Sequence, residues 1–383
     1  MNVSLNSKLP HVGPTIFSVM TQLANEHNAI NLSQGFPDFQ CPPSLIERVR
    51  FYMERGDNQY APMAGLPILQ QQIAVKVDNL YHLKLNAAEE VTITSGATEA
   101  LFCAIQTVIQ PGDEVIVFDP SYDSYEPAII LAGGKAVHLP LITPDYHIDW
   151  EVVRQSINPR TRLIIINSPH NPTGAVLTEE DMLQLSEIVN KNDLFLLSDE
   201  VYEHIIFDQQ SHQSVLKYPD LYQRCFVVFS FGKTYHVTGW KVGYCIAPPM
   251  LTSEFRKVHQ FVTFDTATPL QYGLADFMKS DPQHYLDLPH FYQQKRDLFC
   301  RLLSKSKFTL LPSKGTYFQL LEYSGISGLN DVDYAKTLTV DAGIAAIPIS
   351  VFAKQPIKEK YLRFCFAKDD ATLTKAAAIL TLL

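Results

Sequence analysis

Arg162-Leu163-Ile164-Ile165-Ile166-Asn167-Ser168-Pro169-His170-Asn171-Pro172-Thr173-Gly174 is an apolar run that stops abruptly in a loop of Pro, Asn and Gly. A short, almost wholly apolar stretch with β-branched residues suits a strand covered on both faces. A helix-period segment follows over Thr178–Asn190, with Thr178 as its N-cap. The same order recurs on either side. Upstream, Glu90–Thr94 alternates as a strand, and Ser95-Gly96-Ala97-Thr98 opens a helix with Leu101, Ile105 and Val108 on its apolar face. Glu114–Phe118 is the next strand, followed by Asp119-Pro120 and a helical stretch over Tyr122–Ala132. Downstream, Leu194–Ser198, Phe226–Phe229 and Trp240–Ala247 add three strands. Strands alternating with helices predict an α/β fold with a mostly parallel sheet sandwiched by helices. In such sheets ligands bind beyond the C-terminal ends of the strands.

The C-terminal part reads differently. A long helix near Tyr285–Ser304 precedes short strands around Thr316–Leu321, Ala345–Pro348 and Tyr361–Cys365, the pattern of a second, smaller α/β domain. Two domains also suit a chain of 383 residues that is 46% hydrophobic. The predicted division is a large domain over 45–285 and a small domain made of 1–44 and 286–383. Forty acidic against 31 basic residues give a net charge of −9, which argues against nucleic acid as the main partner. No apolar run is long enough to predict a membrane span. The polar N-terminus, Met1 to Pro10, lacks the apolar stretch of a secretory signal. Six scattered cysteines without a C-x-x-C pair read as reduced residues of a cytoplasmic protein. Twelve histidines without an H-E-x-x-H or a tight cluster predict no metal site.

Three short segments carry chemistry-bearing residues. Ser230-Phe231-Gly232-Lys233-Thr234-Tyr235-His236-Val237-Thr238-Gly239-Trp240-Lys241-Val242-Gly243 presents Lys233 just after an apolar strand, with Lys241 eight residues on. Read alone, Lys233 is a solvated surface lysine like nearly all others. Ser198-Asp199-Glu200-Val201-Tyr202 puts an aspartate at the end of a buried strand, where it is also at home as an N-cap or turn residue. Ser168–Gly174 is open to reading as an ordinary turn. Arg363, in Tyr361-Leu362-Arg363-Phe364-Cys365-Phe366, sits on an aromatic strand, where it is either an anchor for an anion or half of a structural salt bridge.

Taken together, in this order and spacing from about Ile30 to Ala367, these segments resemble class I aminotransferases, pyridoxal-phosphate (PLP) enzymes of fold type I. Asn31–Phe39, Asn58–Gly65 and Asp119–Pro127 are similar to a narrower group, the bacterial methionine aminotransferases and their kynurenine/glutamine transaminase K relatives. The resemblance implies PLP as cofactor and a role for each matching residue. Lys233 would hold PLP covalently and then move the proton of the substrate α-carbon. Asp199 would face the pyridine nitrogen and favour its protonated form. Tyr202 and Asn171 would bond the ring hydroxyl oxygen. Ala97 and Thr98 at a helix start, with Ser230 and Lys241, would bind the phosphate. Many relatives have arginine at the Lys241 position; lysine offers a point charge instead of a fork. Tyr122 would stack on the ring, a place where core packing is the other reading. Tyr60 would reach the phosphate of a neighbouring subunit, which implies a homodimer with a shared active site.

For the substrate, the resemblance assigns its carboxylate to Arg363, with Asn171 and the backbone of Gly35 alongside. Phe17, Phe36, Phe264 and Phe352 would line an uncharged side-chain pocket. The expected activity is ping-pong transfer of an amino group from methionine or an aromatic or apolar amino acid to a 2-oxo acid, with broad specificity. A second function starts from the same residues, a cysteine-conjugate C–S β-lyase; a third, a PLP-binding regulatory protein with an inert site, is opposed by the intact set of Lys233, Asp199 and Arg363.

Overall fold

The computed structural model describes residues 5–311 and 313–383; Met1–Ser4 of the N-terminal segment read above, and Pro312, lie outside the described residues. Its centre is a seven-stranded sheet. In chain order the strands are β1 (Val91–Thr94), β2 (Glu114–Asp119), β3 (Lys135–Pro140), β4 (Thr161–Asn167), β5 (Phe195–Asp199), β6 (Cys225–Ser230) and β7 (Gly243–Ile246). They lie side by side as β1-β7-β6-β5-β4-β2-β3. Only β7 runs against its two neighbours; the other pairings are parallel.

Successive side chains of a strand point to opposite faces, so a sheet covered on both sides needs apolar residues at every position. The central strands meet that demand. Ile164, Ile166, Leu196 and Val227 pack into one core with Leu69, Ile73, Leu185 and Phe277 of the helices on that side. Leu163, Ile165, Leu197 and Val228 enter the opposite core with Leu101, Ile105, Ile129 and Phe255. The helix after β4 spans Glu179–Lys191, and Thr178 and Asp181 cap it reciprocally.

Three local expectations change. Lys135–Pro140 is a strand that the sequence reading does not contain; it is the sheet's edge, half-exposed, so its pattern lacks an apolar run. The helix expected from Tyr122 spans only Tyr125–Leu131. The strand expected over Trp240–Ala247 is confined to Gly243–Ile246, because Thr238–Trp240 forms a single 3-10 turn.

A separate core gathers Met20, Leu32, Phe299, Leu338, Phe364 and Leu373, among others. It covers a four-stranded antiparallel sheet in the order Ile347–Pro348, Tyr361–Cys365, Phe318–Glu322, Thr309–Leu310. Ile30–Asn31 pairs in parallel with Ile344–Ala345, which ties the N-terminal segment to this C-terminal unit. No helix among the described residues is long and apolar enough to cross a membrane.

The register of the large sheet decides where the chemistry goes. Thr94 lies beside Gly243, and Gly243 beside Ser230. Asp199 lies between Val228 and Asn167. The segments after β1, β4, β5 and β6 therefore leave the sheet at one edge, carrying Ala97, Asn171, Tyr202 and Lys233 with them.

Candidate active site

Beyond that edge is a cleft of about 180 Å³, lined by Ala97, Thr98, Tyr122, Asn171, Asp199 and Tyr202 and, facing them, Ser230, Lys233 and Lys241. Asp199 is buried at its floor as the last residue of β5. Its Oδ2 accepts a hydrogen bond from Tyr125 Oη at 2.7 Å, and its Oδ1 accepts from the Val201 N–H at 3.3 Å. Asn167 Nδ2 donates to the Asp199 carbonyl at 2.8 Å and fixes the strand end. Burial pushes the Asp199 carboxyl up to about 6, while the Tyr125 and Val201 bonds and the Lys233 charge pull the other way.

Lys233 stands in the one-turn helix Phe231–Thr234 that follows β6 directly. Its Nζ donates to the Gly35 carbonyl at 3.3 Å and lies 5.6 Å from the ring centres of both Tyr202 and Tyr317. Burial pushes its amine down to about 8, with the neighbouring Lys241 and Arg363 charges acting in the same direction. Tyr202 is buried, and burial raises its hydroxyl. Tyr122 meets Tyr125 edge to face at 5.6 Å, and its hydroxyl is also raised by burial.

The helix Gly96–Val108 starts at the cleft, so the N–H groups of its first turn have no partner within the helix. Gly96 has φ of +75°, and a Cβ there would lie 3.3 Å from Lys241 Nζ. The lysine amine thus rests directly on the helix start, and the close approach needs glycine. Free N–H groups, a helix dipole and a cation together can hold an anion such as a phosphate.

Across the cleft, Arg363 is 1% exposed. Its Nη1 donates to Asn171 Oδ1 at 2.8 Å and its Nη2 to the Ser33 carbonyl at 3.0 Å. The guanidinium lies 3.9 Å from the ring centre of Phe318, with Phe17 and Phe352 at 5.3 and 5.7 Å. Nε is buried with no hydrogen-bond partner among the described residues, and no carboxylate there pairs with the guanidinium. The salt-bridge reading of Arg363 therefore fails, and the group is left able to take a carboxylate. Gly35 sits beside it: a Cβ there would be 2.9 Å from Phe318 Cζ, and its carbonyl also accepts from Tyr317 Oη.

Some expected residues lie elsewhere. Tyr60 is 83% exposed and packs edge to face on Phe264 at 5.6 Å, outside the cleft of its own chain. Phe36 is exposed under the Lys368 amine. Of the four phenylalanines expected in a side-chain pocket, Phe17 and Phe352 gather at Arg363, whereas Phe36 and Phe264 stay on surface loops. Phe318, Tyr317, Asn167 and Tyr125 enter the site without having been singled out. Tyr125 stands within Pro120–Tyr125 and Asn167 ends an apolar run, so position alone offered a signal for these two; Tyr317 and Phe318 read as plain strand residues.

A family model described as aminotransferase class I and II matches residues 27–380. The chain is 50% identical over 371 residues to the methionine aminotransferase of Escherichia coli strain K12, covering 97% of this chain and 96% of that one. It is 33% identical to human kynurenine–oxoglutarate transaminase 3, over 94% of this chain and 86% of that protein. The crystal structure of Escherichia coli YbdL, reported with a methionine aminotransferase function, superposes with a TM-score of 0.98 at 49% identity over the whole of both chains. The fold is that of fold type I PLP enzymes, and the chain belongs to the class I and II aminotransferase family, as a PLP-dependent transaminase acting on amino acids and 2-oxo acids.

Proposed function

We propose that this transaminase takes its amino group from methionine or an aromatic amino acid, with Lys233, Asp199 and Tyr202 as its catalytic residues. The observation that carries this reading is the convergence, on one cleft, of a buried carboxylate, an enclosed amine and a guanidinium without a carboxylate partner. These groups also fit the polar parts of PLP. Lys233 would hold the cofactor, Asp199 its ring nitrogen, and Tyr202 and Asn171 its hydroxyl oxygen. Ala97, Thr98, Ser230 and Lys241 would hold its phosphate, and Tyr122 the ring face. PLP, when bound, supplies the electron sink that makes the α-hydrogen of an amino acid acidic.

The chain's own residues do the rest. Arg363 binds the substrate carboxylate through a charge-assisted fork, held in place by Asn171 and the Ser33 carbonyl. Lys233, with an amine brought down to about 8, would take the proton from the substrate α-carbon and hand it on to the cofactor. Asp199, raised by burial to about 6, stays below neutral pH and would supply the negative partner for the cofactor's ring nitrogen. Phe17, Phe318 and Phe352 shut water away from the guanidinium and favour an uncharged substrate side chain.

A homodimer with a shared active site is part of the proposal. Tyr60 and Phe261 are 83% and 88% exposed, Val262 is exposed and Phe264 packs on Tyr60; large apolar groups presented together on a surface suit a second copy of the chain. The separate cores support the division into a large domain over 45–285 and a small domain of 1–44 and 286–383. Six free thiols support a cytoplasmic location. The test is product analysis with methionine and a 2-oxo acid. The expected products are the methionine keto acid and the new amino acid in equal amounts. Pyruvate release from cystathionine without amino transfer from methionine would instead establish the β-lyase reading.

A further inference from the structure

Beneath the start of the Gly96–Val108 helix lies a buried glutamate–histidine pair that the reaction does not use. Glu99 stands in the first turn of that helix. Its Oε2 accepts from the Ser95 N–H at 2.8 Å, and its Oε1 accepts from Cys103 Sγ at 3.0 Å and meets His259 Nδ1 at 2.8 Å. His259, from the helix Pro249–Val262, is fully buried, and its Nε2 lies 2.9 Å from the Met63 carbonyl. Glu99, Cys103 and His259 are metal-ligand types whose ligand atoms lie within 4.8 Å of one another. Yet the 2.8 and 3.0 Å separations are hydrogen-bond lengths, tighter than the roughly 3.2–3.5 Å between ligands that share one tetrahedral zinc at about 2.0–2.3 Å. The trio is a hydrogen-bonded network.

The network fixes its own proton count. A carbonyl can only accept, so Nε2 must carry a proton. Nδ1 faces a carboxylate, so a second proton lies between Nδ1 and Glu99, whichever atom holds it. A neutral imidazole with its proton on Nδ1 beside an ionised Glu99 would set the Nε2 lone pair against the Met63 oxygen and is excluded. Imidazole and carboxyl together are therefore neutral. The consequence reaches the cleft, because an uncompensated carboxylate within one turn of the Gly96–Thr98 N–H groups would repel any anion placed there.

We propose that His259 is a positioning residue for the cofactor phosphate: it neutralises Glu99, which in turn holds the Ser95 N–H, so that the helix start and Lys241 present net positive charge to the phosphate. This inference rests on the reading that puts the phosphate at Ala97, Thr98 and Lys241.

The test compares PLP with pyridoxal, which lacks the phosphate. The full chain, stripped of cofactor, is titrated with each, and binding is followed by visible absorbance and protein fluorescence. Asparagine can still donate to Glu99 but carries no charge, so His259→Asn is expected to weaken PLP binding roughly tenfold and pyridoxal binding less than about twofold. The double variant Glu99→Gln/His259→Asn is expected to recover most of the PLP affinity, and Glu99→Gln alone to keep the wild-type preference for PLP or exceed it. Equal losses for PLP and pyridoxal in His259→Asn, or no recovery in the double variant, would overturn the proposal. If His259→Asn does not fold, a fall in PLP preference in Glu99→Gln would overturn it as well. Lys241→Gln separates the two levels of the argument. If it does not weaken PLP selectively, the phosphate placement fails and this inference with it; if it does so while His259→Asn leaves PLP binding unchanged, only the role of His259 fails.

Discussion

Asp199 and Arg363 face one cleft, yet they are held there by different means. Asp199 is the end of a central parallel strand, and its partners Val201, Asn167 and Tyr125 belong to that strand end and two neighbouring segments of the same sheet unit. Arg363 lies on the small antiparallel sheet and is fixed by Phe17, Ser33, Asn171, Phe318 and Phe352, contacts drawn from the N-terminal segment, the loop after β4 and the C-terminal unit. The cofactor floor is thus set mainly by secondary structure and register, whereas the substrate wall exists only once the two sheets and the N-terminal segment are assembled. Substitutions on the floor should change the chemical step or its pH dependence. Substitutions on the wall should change mainly the demand for substrate.

The sharpest break in that comparison comes from Lys233→Ala. It should lower turnover by about 10²–10⁴-fold while far-UV circular dichroism stays unchanged, since it removes an acid–base group but little buried apolar area. Turnover within tenfold of wild type would remove Lys233 from the mechanism. Arg363→Ala should leave PLP absorbance intact and lower kcat/KM for amino acids by about 10²–10⁴, the loss of two charge-assisted bonds. An unchanged KM would show that the carboxylate binds elsewhere.

Phe352 sharpens the comparison on the wall. Its carbonyl accepts from the Ser121 N–H at 2.7 Å, and Asp119 Oδ2 takes the Lys354 N–H at 2.7 Å, so the turn is clamped on both sides to the C-terminal end of β2. Phe352→Ala should raise KM for methionine and phenylalanine roughly tenfold but that for alanine less than about twofold. Equal effects on all three would mean the wall does not read the side chain. The smallest effect is expected from Tyr125→Phe. Losing this donor destabilises the charged form of Asp199, so its carboxyl, at about 6 in the native protein, should move upward. The acid limb of kcat/KM would then shift to higher pH by roughly half to one unit, with the alkaline limb unmoved. A shift to lower pH would contradict the role of the bond.

The same contrast decides which parts of the molecule are legible in its sequence. β4 and β5 were legible because burial on both faces demands unbroken apolar runs, and the residues that follow such runs in an α/β sheet stand at its ligand-binding edge. The pattern thus put Asp199, Asn171 and Lys233 at that edge, while their roles followed from the resemblance to class I aminotransferases. The edge strand Lys135–Pro140 left no such mark, being half in water. Phe318 and Ser33 were not legible as neighbours of Arg363, since pairing across more than three hundred residues or between strands of a small antiparallel sheet follows from tertiary assembly, not from local pattern. The positions of Phe36 and Phe264 on surface loops were not legible for the same reason: an aromatic residue in a loop carries no local indication of which surface it will meet.

The most direct test of the central claim is the visible absorption of the purified protein, first alone, then with methionine, then with a 2-oxo acid. The account expects a band from bound PLP that methionine bleaches and the 2-oxo acid restores, each half of the transfer seen separately. A protein that takes up PLP but whose band neither methionine nor an aromatic amino acid alters would contradict the proposed donor, and one that shows no band after PLP is supplied would contradict the assignment of Lys233 and Asp199 altogether.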